Sequence, residues 1–205
     1  MKIRLETEND YNEVENLVRN IFWNIYRPGA YEHYIVHNLR NHESFIKELA
    51  YIIEKDNKII GHINYSKGKI IYKDKEINAI ILGPISIDKE FQNKGYGTKL
   101  IKHTINIIKE KNIPFIIVVG DKKYYHRFGF ETASKYNIYL EGTKEDEKSD
   151  FFMIKIFNKN KIDFKKGIFQ IPIVFNVNEK DVEEFDKKFE YKERKIIKGQ
   201  LTEGI

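Results

Sequence analysis

Apolar positions along this chain change period several times, and each change marks an element. The segment KIRLE (residues 2–6) alternates apolar and polar positions as a short strand does. Val14, Leu17, Val18, Ile21 and Phe22 then fall at helical spacing, one face of an amphipathic helix. Asp10 stands where a helix cap belongs, with Glu13 three residues on, the spacing of a capping box. Arg27-Pro28-Gly29 interrupts the pattern. A second helix is predicted from about Ala30 to His42, with Tyr31, Tyr34, Ile35 and Leu39 on one side. Three strands follow: LAYIIEKD (49–56), KIIGHINYSKGKIIY (58–72) and DKEINAIILGPISID (74–88). The third is apolar and β-branched enough for a central strand. Pro84 cannot donate to a ladder there, so a bulge or a splay is expected near residue 84.

Beyond two glycines the period returns to helical, with Leu100, Ile101, Thr104, Ile105 and Ile108 on one face. IPFIIVVGD (113–121) reads as a buried strand and KKYYHRFGF (122–130) as a short helix closing on Gly129. YNIYLE (136–141) and DFFMIKIF (150–157) are two further strands, split by a charged loop over 142–150. GIFQIPIVFNV (167–177) is the last strand, and Asn178 caps a final helix. Mixed helices and strands with a meander in the middle imply an α/β or α+β fold, a mostly antiparallel sheet with helices on both faces. The pattern divides into a core over 1–157 and a strand–helix extension over 158–205, packed on the same domain.

Composition narrows the function classes. The 205 residues are 41% hydrophobic and 14% aromatic, enough for a sizeable core. The formal net charge of +5 is dispersed, with acidic residues interleaved among the lysines, which argues against a nucleic-acid partner. The absence of cysteine excludes disulfides, thiolate metal sites and cysteine nucleophiles. The opening MKIRLETEND turns polar at once, unlike a signal peptide, and no apolar run approaches the length of a membrane span. The expectation is a soluble cytoplasmic protein with no membrane partner.

The chemistry concentrates in QNKGYGT (92–98), between the apolar strand and a helix. A helix start leaves N–H groups unpaired and carries partial positive charge, so it attracts anions. Gly95 and Gly97 would let an anion approach the backbone. Gln92, Asn93, Lys94 and Thr98 add side-chain donors. Each N–H to a phosphate oxygen contributes roughly 1.5–3 kcal/mol, so three or four would hold a diphosphate. The P-loop pattern is absent. The dinucleotide fingerprint also fails, because Leu100 stands where its third glycine belongs.

LGPISIDKEFQNKGYGTKLI (82–101) resembles the acetyl-CoA-binding segment of the GNAT acetyltransferases, whose signature [QR]-x-x-G-x-[GA] reads here Gln92, Asn93, Lys94, Gly95, Tyr96, Gly97. The later GDKKYYHRFGF (120–130) is similar to the family branch with a GDxxYYxRFGF segment. Lys122 and Lys123 depart from the small, acidic or proline residues expected there, which bears on local substrate preference. The resemblance covers residues 1 to about 157. It implies a splayed fourth strand that bonds the pantetheine arm through Ile85, Ser86 and Ile87. The pyrophosphate would lie on residues 92–98, with Tyr125 as the acid for the departing thiolate. It further implies direct transfer from acetyl-CoA to a primary amine, of a small molecule or a peptide, with no metal. A non-catalytic acyl-CoA-binding or regulatory module on the same fold is the alternative.

Several residues carry two readings. Asp88, Glu90, His62 and Glu54 are candidate bases or solvated charges. His33 and His37 share a helix face at metal-ligand spacing, yet H-E-x-x-H fails and no third ligand is evident, so surface or packing positions explain them better than a metal. Trp23, Tyr26, Tyr31 and Tyr34 are expected close together, either lining an acceptor groove or packing helix on helix. Tyr124 reads as core. The extension either helps close the acceptor site or offers a homodimer edge.

Overall fold

Alternating strand residues must send every second side chain to the same side, and here one sheet sorts them onto two helical layers. The computed structural model of the chain describes residues 1–143, 149–161, 163 and 165–201. Most of the charged 142–150 loop therefore lies outside the described residues, as do residues 162, 164 and 202–205 of the extension. The strands are β1 (Lys2–Leu5), β2 (Tyr51–Lys55), β3 (Lys58–Ile71), β4 (Glu76–Ile87), β5 (Phe115–Val119), β6 (Glu131–Thr132), β7 (Ile138–Leu140), β8 (Phe152–Ile156) and β9 (Gly167–Gln170). The helices are α1 (Tyr11–Phe22), α2 (Glu32–Leu39), α3 (Tyr96–Glu110), α4 (Lys122–Tyr125) and α5 (Glu179–Asp186).

The main path runs β1-β2-β3-β4-β5-β8-β6, antiparallel except for β4 with β5. Ile63 and Tyr65 of β3, Ile80 and Leu82 of β4 and Ile116 and Val118 of β5 pack under Leu100, Ile101 and Ile108 of α3. On the opposite face, Val14 and Val18 of α1 and Val36 of α2 cover Ile52 and Ile59. Further along that face, Ile70, Ile81, Ile117, Phe152 and Phe169 form a separate apolar cluster. Among the described residues no helix is long and apolar enough to cross a membrane.

The N-terminal turn differs from the sequence reading. Asp10 does not cap α1 with its side chain; its carboxylate accepts from the Thr7 N–H and hydroxyl and pairs with Arg4. Glu13 is drawn away as well, accepting the Ile59 N–H across to β3. The second helix is shorter than expected because Tyr31 precedes it and the chain turns after Arg40. The last strand also shortens to four residues, since Pro172 starts a turn of 3₁₀-helix. β9 is flanked on both sides, antiparallel to the far end of β3 and parallel to β7.

α5 docks beside α1 and α2. Asn178 accepts the Lys180 N–H at its start. At its end Asp186 takes a bidentate pair from Arg19 at 2.6 and 3.1 Å and lies 3.2 Å from Nε2 of His33.

Candidate active site

β4 begins as a fully paired strand and ends as a half-paired one. Its register with β5 runs only through Ile80–Ile116, Ile81–Ile117 and Leu82–Val118. Its ladder with β3 slips between Ile63–Ile85 and Tyr65–Leu82, so β4 carries one extra residue at Gly83–Pro84. Beyond that bulge the strand stays on β3 and parts from β5. The Asp88 N–H donates to the Ile60 carbonyl at 2.9 Å, which sets the alternation of the ladder. Ser86 therefore turns its backbone to β3, while Ile85 and Ile87 turn theirs to the open side. The open side already has one occupant: the Gln92 side chain donates to the Ile87 carbonyl at 2.9 Å. Of the three residues assigned to the arm by resemblance, Ile85 and Ile87 turn their backbone to the open side, Ile87 with its carbonyl held by Gln92, and Ser86 turns its own to β3.

The same open side leads to the start of α3. Asn93 and Gly95 both adopt left-handed backbone, at φ 59° and 83°. The first intrahelical bond is Lys99 N–H to the Gly95 carbonyl at 3.0 Å. The N–H groups of Tyr96, Gly97 and Thr98 precede it, and no side chain caps them. That leaves a cluster of donors at the positive end of a 15-residue helix dipole. Lys94 leans toward the Phe91 ring, and Tyr96 meets the same ring edge-on.

The two glycines have different reasons. A side chain at Gly95 would meet nothing within 4 Å, so its backbone conformation alone requires glycine. A Cβ at Gly97 would lie 2.6 Å from the Tyr124 hydroxyl. Gly97 thus makes room for a protein side chain, where the sequence suggested room for an anion. Tyr124 is half-buried and stands edge-on to Tyr125 at 5.0 Å between centroids.

Tyr125 ends α4, whose N-terminus is capped by Asp121 accepting the Lys123 N–H. Its ring lies on Gly120, where a Cβ would come within 2.6 Å of Cε2, and against Phe130. Burial pushes its phenol well above the usual tyrosine range, helped by the phenols of Tyr124, Tyr26 and Tyr65. Tyr26, from the α1–α2 loop, lies with its ring 6.1 Å from that of Phe22. Burial raises Tyr26 too, with the Glu32 and Asp121 carboxylates adding to the shift. Burial also raises the Glu32 carboxyl, which accepts the Tyr31 N–H at 3.0 Å. Glu32 and Gly120 were not singled out from sequence. Only the fold brings Gly120 beneath Tyr125.

The other candidates are committed elsewhere. Asp88 pairs with Lys58 at 2.7 Å, and Glu54 pairs with Arg4 at 2.8 Å. Glu90 is exposed. His62 is buried and pushed down to about 3 by burial and by Arg40, so it stays neutral. His37 bonds Glu15, and His33 packs between Phe185 and Phe189. The four aromatics expected together separate: Trp23 lies under Arg19, Tyr31 under Arg27, Tyr34 on Phe185 and Tyr26 beside Phe22.

The sequence profile of the acetyltransferase (GNAT) family matches residues 16–130, which spans the splayed strand, the glycine turn and Tyr125. The chain belongs to the GNAT acetyltransferase family. Among curated members it is similar to the uncharacterized N-acetyltransferase YhbS of Escherichia coli K12. The two are 22% identical over 138 residues, 67% of this chain and 78% of that one. It is 28% identical over 100 residues to the uncharacterized N-acetyltransferase YjhQ of the same organism, 49% of this chain and 55% of that one. Two solved GNAT structures share the fold. YhbS from Escherichia coli in complex with CoA aligns with a TM-score of 0.72 and 20% identity, over 86% of this chain and 92% of that one. A GNAT acetyltransferase from Brucella melitensis in complex with acetyl-CoA gives 0.67 and 24%, over 85% and 97%.

Proposed function

We propose that this GNAT protein binds acetyl-CoA in the groove between β4 and β5 and transfers the acetyl group directly to a primary amine. The observation that carries this reading is the junction of a free strand edge with an uncapped helix start. Ile85 and Ile87 can pair with an amide-bearing arm as a neighbouring strand would. The N–H cluster of residues 96–98 then donates to the diphosphate at the end of that arm. Gln92, Asn93 and Lys94 flank the anion, while Gly95 supplies the turn. Two GNAT relatives that share the fold were crystallised with CoA and acetyl-CoA, which supports the ligand class.

In the reaction the amine nitrogen attacks the thioester carbonyl carbon. A C–N bond forms, the C–S bond breaks, the nitrogen loses a proton and the sulfur leaves as thiolate. An alkyl ammonium must first give up a proton, which costs about 4–5 kcal/mol at neutral pH. A base or a water chain must take that proton. Tyr125 keeps its proton throughout the neutral range, so it serves the leaving sulfur as a hydrogen-bond donor. Holding a donor where charge develops stabilises the transition state more than the ground state.

Isothermal titration with acetyl-CoA, CoA and NAD tests the reading. Heat from the first two and none from NAD is the expected result. Silence from both thioester and thiol would remove the cofactor from the groove.

A further inference from the structure

The face of α3 that carries Thr98 continues into a second recess. Thr98 and Lys102 stand four residues apart on one side of the helix, a rise of about 6 Å, and Ile105 and Asn106 follow on the next turn. Across from them the chain after α4 folds into a turn of 3₁₀-helix, His126–Phe128. Between the two lies a cavity of about 310 Å³, lined by Lys102, Ile105, Asn106, Arg127 and Phe128. A short series of contacts joins it to the glycine turn. The Tyr124 hydroxyl lies 2.6 Å from where a Cβ at Gly97 would stand, and the Arg127 guanidinium covers the Tyr124 ring at 4.1 Å from its centroid.

The recess combines cations with an apolar floor. Stacking on Tyr124 leaves the edges of the Arg127 guanidinium open, and among the described residues no carboxylate pairs with Arg127 or Lys102. Lys122, at the start of α4, is by contrast already matched, by Asp150 at 2.9 Å. Phe128 is buried and packs on Tyr124 at 5.6 Å between centroids. Its carbonyl accepts from Lys155 Nζ at 2.7 Å, which fixes the floor and places a further cation behind it. Unmatched cations at the rim of an apolar recess suit a ligand that is both phosphorylated and flat.

We propose that this recess holds the nucleotide end of acetyl-CoA, with the 3′-phosphate between Lys102 and Arg127 and the adenine over Ile105 and Phe128. The inference rests on the acetyl-CoA reading. A diphosphate on the N–H groups of residues 96–98 leaves one ribose to span one turn of α3, which brings its 3′-phosphate level with Lys102. Arg127 meets that phosphate through two N–H groups and Lys102 meets it as a point charge. Asn106 offers the amide that an adenine edge pairs with.

Titration calorimetry of the full chain with CoA and with 3′-dephospho-CoA tests the placement. CoA is expected to bind about tenfold or more tightly than its dephosphorylated form, and the gap should narrow at high salt. Lys102→Ala and Arg127→Ala should each weaken CoA about fivefold or more and change dephospho-CoA less than about twofold, so that the two affinities converge. Lys102 is exposed and alanine favours helix, so that variant keeps the fold. Equal affinity for the two ligands in the unaltered chain would overturn the phosphate site. A gap that both variants leave intact would overturn its assignment to these residues. Etheno-CoA, whose modified adenine fluoresces, should change its emission on binding, and unchanged emission would take the adenine out of the recess. No heat from either ligand would instead refute the acetyl-CoA reading on which the site stands.

Discussion

Tyr125 sits where its surroundings restrict what its hydroxyl can do. A phenol pushed above its usual range gives up its proton reluctantly to a thiolate, which is less basic than the phenol itself. It can still donate a hydrogen bond to the sulfur as negative charge builds there. Removing the hydroxyl should therefore affect turnover and spare binding. Tyr125→Phe is expected to lower kcat about tenfold or more while acetyl-CoA Kd changes less than about twofold, measured by steady-state thiol release and titration calorimetry. An unchanged kcat at saturating substrates would take Tyr125 out of the reaction. The phenyl ring would still pack on Gly120 and Phe130, so the fold should tolerate the change.

The next scale up is the contact of α4 with α3. Tyr124 reaches across so that its hydroxyl occupies the space a side chain at Gly97 would need. Gly97→Ala should cost about 1–3 kcal/mol through overpacking, read from urea melts. Tyr124→Phe removes the obstructing oxygen, so the double variant should recover more than half of that loss. Strict additivity would show that the contact does not govern Gly97. The helices and long strands were legible because their apolar spacing is local: Leu100, Ile101 and Ile108 mark α3 from the sequence alone. Pro84 betrayed the bulge because a missing N–H is a property of the residue itself. The Gly97–Tyr124 contact was illegible, since nothing in QNKGYGT indicates what will pack against it. β6, two residues long, is too short to show a period. Asn24 hydrogen-bonds Glu193, Lys195 and Gln200, about 170 positions away and beyond the reach of any local pattern. Asp10 and Glu13 mimicked a capping box locally, but tertiary partners claimed both carboxylates.

For the molecule as a whole, two buried histidines make folding sensitive to acid. Burial holds His33 at about 4, with Arg19 adding to the shift and Asp186 opposing it; burial and Arg40 hold His62 at about 3. Both lie below the unfolded value near 6.5. The unfolded chain therefore binds protons that the folded chain refuses, and stability falls as pH drops from about 6.5 toward these values. His33 alone accounts for about 3 kcal/mol across that window. His33→Gln should flatten the fall in Tm between pH 6.5 and 4, and an unaltered slope would assign the acid response elsewhere. The splayed β4 has a consequence of another kind. A strand edge with unpaired N–H and carbonyl groups invites other chains and is a common origin of aggregation. Here β4 parts from β5 beyond Leu82–Val118, and Tyr124 packs on Gly97 at the start of α3. On the proposed reading the acetyl-CoA arm would lie along that edge, where a neighbouring strand would otherwise pair. A ligand held there would thus also shield the edge from its neighbours.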